Sequence, residues 1–189
     1  MLYSMNVFYK TLYYQTENKF HFIDVTDDVI DFVEESGVSD GLVHVFCPHT
    51  TVAVKINEAE NGFIMDFRDF MSKLVPENHN YRHNDLSVRN KNTLCEDPSL
   101  CINGDSHICQ MLIGCSSETI PLRGGELTLG EWQRIFLIEV DKKRKRRLDV
   151  SIMTASPVEP EQDKHRNIKE NQKGVTENRI ASPYFFRSG

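Results

Sequence analysis

Residues 118–153, ETIPLRGGELTLGEWQRIFLIEVDKKRKRRLDVSIM, alternate apolar and polar side chains over most of their length. A period of two sends successive side chains to opposite faces of an extended chain, so this stretch is committed to β-structure with one face toward a core. Gly124 and Gly125 mark one tight turn inside it and the run from Asp141 marks another, which predicts two hairpins. Residues 6–14 (NVFYKTLYY) and 20–25 (FHFIDV) are similarly rich in aromatic and β-branched types. With Glu17 and Asn18 between them, they predict an opening hairpin.

Helices interrupt this β pattern. Thr26 precedes DDVIDFVEESG, where acids fill the first turn, Val29, Ile30, Phe32 and Val33 gather on one side, and Gly37 is placed to stop the helix. Residues 59–75 space Phe63, Ile64, Phe67, Phe70, Met71 and Leu74 as a helix that Pro76 ends. SHICQMLIG reads as a third, entered through Asp105 and closed at Gly114. Gly41 opens the strand LVHVFCPH, and TVAVKIN stays extended after Pro48. The sum is an α+β fold, a single domain of mainly antiparallel strands with two or three helices. It spans residues 1–154; the polar stretch 155–189, poor in core formers, reads as a mobile or loosely docked tail. No internal repeat is visible.

At 189 residues with 39% hydrophobic side chains, the chain can bury an ordinary core without covalent staples. No run approaches the roughly 18 to 20 apolar residues of a membrane span, and MLYSMNVFYKTLYY lacks the charged-then-apolar order of a secretory signal. Five cysteines without a C-x-x-C pair read as reduced thiols of a cytoplasmic protein. A net charge of -6 argues against general binding to nucleic acid. KKRKRR, residues 142–147, would suggest a nuclear signal or a nucleic-acid patch in isolation; between two strands it reads first as a solvated hairpin turn.

The long polar segment from Glu77 to Asn103 has no sustained period, and loops of that length in small domains are more often functional than not. Histidines frame it. If 42–49 is one strand, His49 shares a face with Val43, Val45 and Cys47 and sits where that face ends. His83 lies in YRHND inside the loop, and His107 in the first turn of the third helix. Three imidazoles from a strand end, a loop and a helix start match a zinc or similar divalent site with one position left open. The alternative is that they are unrelated surface or capped histidines, the reading given to His21, His44, His79 and His165. Thr50 and Thr51 are either ordinary strand residues or, with nearby N–H groups, a cradle for an anion. Asn57 and Glu58 either open the next helix or supply a general base.

PHTTVAVKINE, YRHND, NGDSH, LIGCSSETIP and GELTLGEWQRIFLIEVDKKRKRR, in that order, resemble the YjbQ-like family, also labelled secondary thiamine-phosphate synthase. The resemblance runs from about Val7 to Met153. It implies a compact α+β fold, homotrimers, and a polar pocket near the subunit boundaries. It also implies a metal held by His49, His83 and His107, with Glu58, Asn84, Asp85 and Gln133 as further recurrent polar positions. Glu131 departs from the small or hydroxylated residue that many members carry there, and strand parity sets it opposite Trp132.

The activity implied is the joining of a hydroxymethylpyrimidine pyrophosphate to a thiazole phosphate. That step needs positive groups on the departing pyrophosphate, for which Arg82 and Arg134 are candidates beside the metal. Pyrophosphate normally travels with Mg²⁺ and oxygen ligands, whereas three histidines select softer metals, so the resemblance leaves room for this being a side activity. Two classes stand: an enzyme acting on a phosphorylated small molecule, and a non-catalytic metal- or anion-binding trimer. In a trimer, three copies of the 142–147 turn would form an anion-binding collar.

Overall fold

The computed structural model describes residues 3–89 and 97–157. Its strands and helices follow in the order β1 (Tyr3–Gln15), β2 (His21–Asp24), α1 (Thr26–Ser36), β3 (Gly41–Phe46), β4 (Val52–Glu58), α2 (Asn61–Leu74), α3 (Gly104–Ile113), β5 (Ser117–Arg123), β6 (Glu126–Leu127), β7 (Gln133–Glu139) and β8 (Lys145–Pro157). One sheet has five strands in the order β1-β8-β3-β5-β6 and the other three in the order β2-β7-β4. Every pairing is antiparallel. The α+β expectation holds, with three helices among the described residues.

The parity read from the sequence decides what is buried. Val43 and Val45, Ile120 and Leu122, and Leu148, Val150 and Ile152 line the inner face of the large sheet. Val54, Ile135 and Leu137 meet them from the small sheet, and α1 adds Val29, Phe32 and Val33. Each fully buried aliphatic side chain of this kind stabilises the fold by roughly 1.5–3 kcal/mol. The other face of the small sheet carries Phe136 and Ile138, against Met71 of α2 and Cys109 of α3. β7 is therefore central and covered on both sides, which is why IFLI contains no polar residue.

Several expectations change at the connections. β1 and β2 do not form a hairpin: β1 pairs with β8 and β2 with β7, in different sheets. The turn after Asp141 is likewise not a hairpin, because β7 pairs with β2 and β4 while β8 pairs with β1 and β3. Alternation identifies strands but does not name their partners, and here the chain steps between sheets. The strand expected over 42–49 ends at Phe46, and TVAVKIN is a strand of the other sheet. The β5 and β6 turn at Gly124 and Gly125 forms as expected.

Other corrections are local. Val25 occupies the cap position of α1, while the Thr26 hydroxyl donates to Asp24 and accepts the Ile135 N–H. α2 starts at Asn61, with the Glu60 carboxylate accepting from the N–H groups of Gly62 and Phe63. Glu131 and Trp132 lie in a turn before β7, both exposed, so strand parity does not govern them. Cys101 is disulfide-bonded while Cys47, Cys109 and Cys115 are free, which corrects the reading of five reduced thiols. β8 runs to Pro157, three residues into the stretch read as a tail; the remainder of that stretch lies outside the described residues. No described helix is long and apolar enough to cross a membrane.

Three of the steps between sheets, β1 to β2, β3 to β4 and β7 to β8, fall at one end of the molecule and are bonded together. The Thr16 N–H donates to the Arg144 carbonyl at 2.9 Å, and the Val140 N–H donates to the Thr51 carbonyl at 3.0 Å. The polarity of PHTT follows: Thr51 closes a chain crossing where no ladder exists to satisfy backbone groups.

Candidate functional site

A buried ion pair anchors that end. Glu139 and Arg146 sit at the inward-facing ends of β7 and β8, 0% and 6% exposed at the side chain. Arg146 donates twice to the Glu139 carboxylate, at 2.5 and 2.7 Å, and once to the Thr51 hydroxyl. The Thr16 hydroxyl and the Asp141 N–H complete the carboxylate's bonds. The basic run 142–147 is accordingly not a uniformly solvated turn, since Arg146 belongs to the interior.

Asp141 carries the network outward. Its buried carboxylate accepts from Arg144 at 2.7 Å, from Asn103 at 3.0 Å and from Ser106 at 3.4 Å, and so holds the start of α3. The loop residues Arg82–Asn84 form a short 3-10 turn, and the Asn84 side-chain oxygen accepts the Gly104 N–H at 2.9 Å. A Cβ on Gly104 would stand 2.7 Å from Tyr81 Cβ and 3.1 Å from His83 Cβ, so only glycine lets the turn lie this close to the helix.

That approach brings His83 and His107 together, with ring centroids 4.6 Å apart and planes at 62°. Nε2 of His83 is buried and has no hydrogen-bond partner among the described residues. Burial, reinforced by His83, holds the His107 pKa below the ordinary imidazole value. A cavity of about 490 Å³ opens at the same end, lined in part by Lys19, Asn84, Asp105, Ser106, Asp141 and Lys142; His83 and His107 adjoin these residues in sequence but do not themselves line it. Lys19 bonds Asp105 and lies 3.3 Å from Glu77; burial works against its charge, but these carboxylates hold its pKa above the usual value.

The remaining sequence candidates separate from this pair. His49 lies past the end of β3, where its Nε2 accepts the Arg147 N–H at 3.1 Å. Burial, with Arg146 next, depresses its pKa. Thr50 is exposed beside it. Asp85 turns away to accept from the N–H and hydroxyl of Ser87, which keep its carboxyl below the usual range. Glu58 and Gln133 face each other at the opposite end of the small sheet, about 23 Å along the chain from Thr51. Arg134 is there too, bound to Asp24 at 2.7 Å and Asp27 at 2.9 Å. Arg82 opens the 3-10 turn and is exposed. The fold thus gathers His83, His107 and Asn84 directly, joins Thr51 to them through the buried network, and leaves Glu58, Gln133 and Arg134 remote within one chain.

An open zinc site takes three protein ligands. Among the described residues no group of three or more His, Cys, Asp or Glu is placed to hold a metal ion. Two imidazoles meet, and among the described residues no third histidine joins them, so within one chain these residues do not fit the three-histidine metal site implied by the resemblance. The histidines assigned local roles keep them: His44 bonds Thr119, His79 packs edge-on to Tyr81, and His21 accepts the Glu17 N–H. His165 lies outside the described residues.

A family model described as UPF0047 protein YjbQ-like matches residues 10–155. The chain belongs to the YjbQ-like UPF0047 family. A UPF0047 protein of Archaeoglobus fulgidus is 39% identical over 139 residues, covering 74% of this chain and 96% of that one. The UPF0047 protein YugU of Bacillus subtilis is 29% identical, covering 76% and 98%. Among solved structures, a YbjQ-like protein of unknown function from Sulfolobus solfataricus superposes with a TM-score of 0.68 at 29% identity, over 79% of this chain and 98% of that one. A YjbQ/UPF0047 protein from Clostridium acetobutylicum gives 0.64 at 36% identity, over 76% and 98%.

In this YjbQ-like chain the sequence reading misses Lys19, Asn103, Ser106, Asp141 and the Glu139–Arg146 pair. A signal exists for the last. Glu139 shares the parity of Ile135 and Leu137, and Arg146 that of Leu148 and Val150, which sets both charges on core-facing positions.

Proposed function

We propose that this YjbQ-like protein is an enzyme acting on a phosphorylated small molecule, with His83 and His107 as its chemical centre. The observation that carries this is the buried Nε2 of His83, without a hydrogen-bond partner among the described residues, packed against the His107 ring. Buried polar atoms are nearly always bonded, and Asn84 and Ser106, the chain neighbours of His83 and His107, line the cavity in which a ligand would lie. The imidazole N–H groups offer hydrogen bonds to the departing pyrophosphate, and Lys142 at the cavity rim meets its charge.

The reaction proposed is the formation of thiamine phosphate. The thiazole nitrogen attacks the pyrimidine methylene carbon, and the bond to pyrophosphate breaks. A divalent metal enters as a further proposal, its third ligand coming from beyond the His83–His107 pair. Homotrimers are proposed as well, supported by exposed large apolar side chains such as Tyr9, Tyr13, Met65 and Met111. A non-catalytic anion-binding trimer is the second reading, favoured by Lys19 and Lys143 already being paired with carboxylates.

Turnover of the pyrimidine pyrophosphate and thiazole phosphate pair by wild-type, His83→Ala and His107→Ala protein decides between the two. Folded variants that lose about 100-fold or more in rate support the enzyme. Wild-type rates in both variants overturn it, and loss of the assembled state in either points to the second reading. Elemental analysis and light scattering of the purified protein test metal and trimer.

A further inference from the structure

A second cavity, of about 260 Å³, lies on the outer face of the small sheet, between α2 and the C-terminal end of α3. Its floor is Phe22 of β2 with Phe136 and Ile138 of β7, and its walls are Phe63 and Phe67 of α2 and Ile113 of α3. The rings are arranged for aromatic contact: Phe22 meets Phe67 edge-on at 5.4 Å and Phe136 at 5.6 Å, and Phe63 stands 6.5 Å from Phe67. A ring entering here meets the edge-to-face and offset geometries that aromatic groups prefer.

Two polar groups stand at the β4 side of this cavity, Lys55 and Asn57. Among the described residues Lys55 makes one weak ion pair, to Glu118 at 3.3 Å, with both side chains about a quarter exposed. An ammonium has three donors, so two stay open for a ligand. A roughly 150 Å³ apolar cavity is large enough for benzene, and 260 Å³ leaves room for a short arm that reaches a cation. α3 separates this cavity from the histidines: His107 is near its start and Ile113 at its end, about 9 Å along the axis.

We infer that this cleft binds a small aromatic monocarboxylate, its ring among the four phenylalanines and its carboxylate on Lys55 and Asn57. The match of one cation and one amide to one anionic head, beside a hydrophobic seat sized for one ring, selects this class over a neutral arene or a polyphosphate. A second copy of the chain covering the cleft is the competing occupant.

The test titrates 3-phenylpropionate and its neutral amide into methyl-labelled protein and follows the Ile113 and Ile138 methyl resonances. The expected result is saturable shifts of both, with the carboxylate binding about tenfold more tightly than the amide. Lys55→Met removes that preference while the ring still binds, and Phe67→Ala removes both. Because Phe67→Ala strips core contacts, a melting curve accompanies it, and Lys55→Met at the rim carries the inference if it unfolds. Equal binding of acid and amide, or shifts elsewhere, overturns it. So does an absence of shifts at millimolar ligand, including a case where dilution to monomer restores them.

Discussion

Removing Arg146 should be among the most damaging single changes to this protein. The Glu139 carboxylate has four donors: Arg146 twice, the Thr16 hydroxyl and the Asp141 N–H. Arg146→Ala deletes two of the four and, among the described residues, the only opposing charge bonded to it, leaving an anion that is 0% exposed. Breaking a buried pair from one side costs about 3–5 kcal/mol, against a total of roughly 5–15 kcal/mol for a domain. At about 2–4 °C per kcal/mol for a chain of this size, the melting temperature falls by roughly 6–20 °C. Urea melts of wild type, Arg146→Ala, Glu139→Leu and the Arg146→Met, Glu139→Leu double variant form the assay. The double variant should be more stable than either single change, because no charge is then stranded. A loss below about 1 kcal/mol in Arg146→Ala, or costs in the double variant that simply add, would refute the view that this pair ties the sheet crossings together.

Three further outcomes are expected. Since burial lowers the folded pKa of His49 and His107, their unfolded forms bind protons first as pH falls. Stability is therefore full above the unfolded value of about 6.5, declines as pH drops through it toward the lowered folded values, and then levels; His49→Asn with His107→Asn should flatten that decline in pH-dependent urea melts. Gly104→Ala places a Cβ against Tyr81 and His83 and should cost about 1–3 kcal/mol while separating the two imidazoles, seen as a changed His83 ring shift by NMR. Burial pushes the Cys47 thiol up to about 12, and Cys109 is also raised and buried, whereas Cys115 is exposed. Iodoacetamide at a pH of about 7.5 should label Cys115 in the native fold and leave Cys47 untouched until denaturant is added, as mass spectrometry of peptides reads directly.

What can be read from the chain is what a period reports. Alternation locates β3, β5, β7 and β8 and names their inward residues, and helical spacing locates α1, α2 and α3. Partnership is not readable, because period two is the same whichever sheet a strand joins; hence the expected β1–β2 and β7–β8 hairpins do not exist. The site divides along the same line. His83 and His107 stand out in the sequence as chemistry-bearing residues, but their meeting depends on Asn84 bonding Gly104 and on the missing Cβ there, contacts with no local pattern. Resemblance groups Glu58 and Gln133 with the histidines, yet β4 and β7 put them at the far end of the small sheet.

The crossings themselves connect fold to site. A strand that ends inside a ladder has its polar groups satisfied by neighbours, whereas a chain stepping between sheets must find other partners. Here Thr16, Thr51, Glu139 and Arg146 supply them, and Asp141 extends the same network to Asn103 and Ser106 at the start of α3. The buried charges that hold three crossings together thus also fix the helix that presents His107. A change at Arg146 should reach the imidazole pair through Asp141 even though neither ring touches it, and the proposed turnover should fall in partially destabilised Arg146 variants before the fold does.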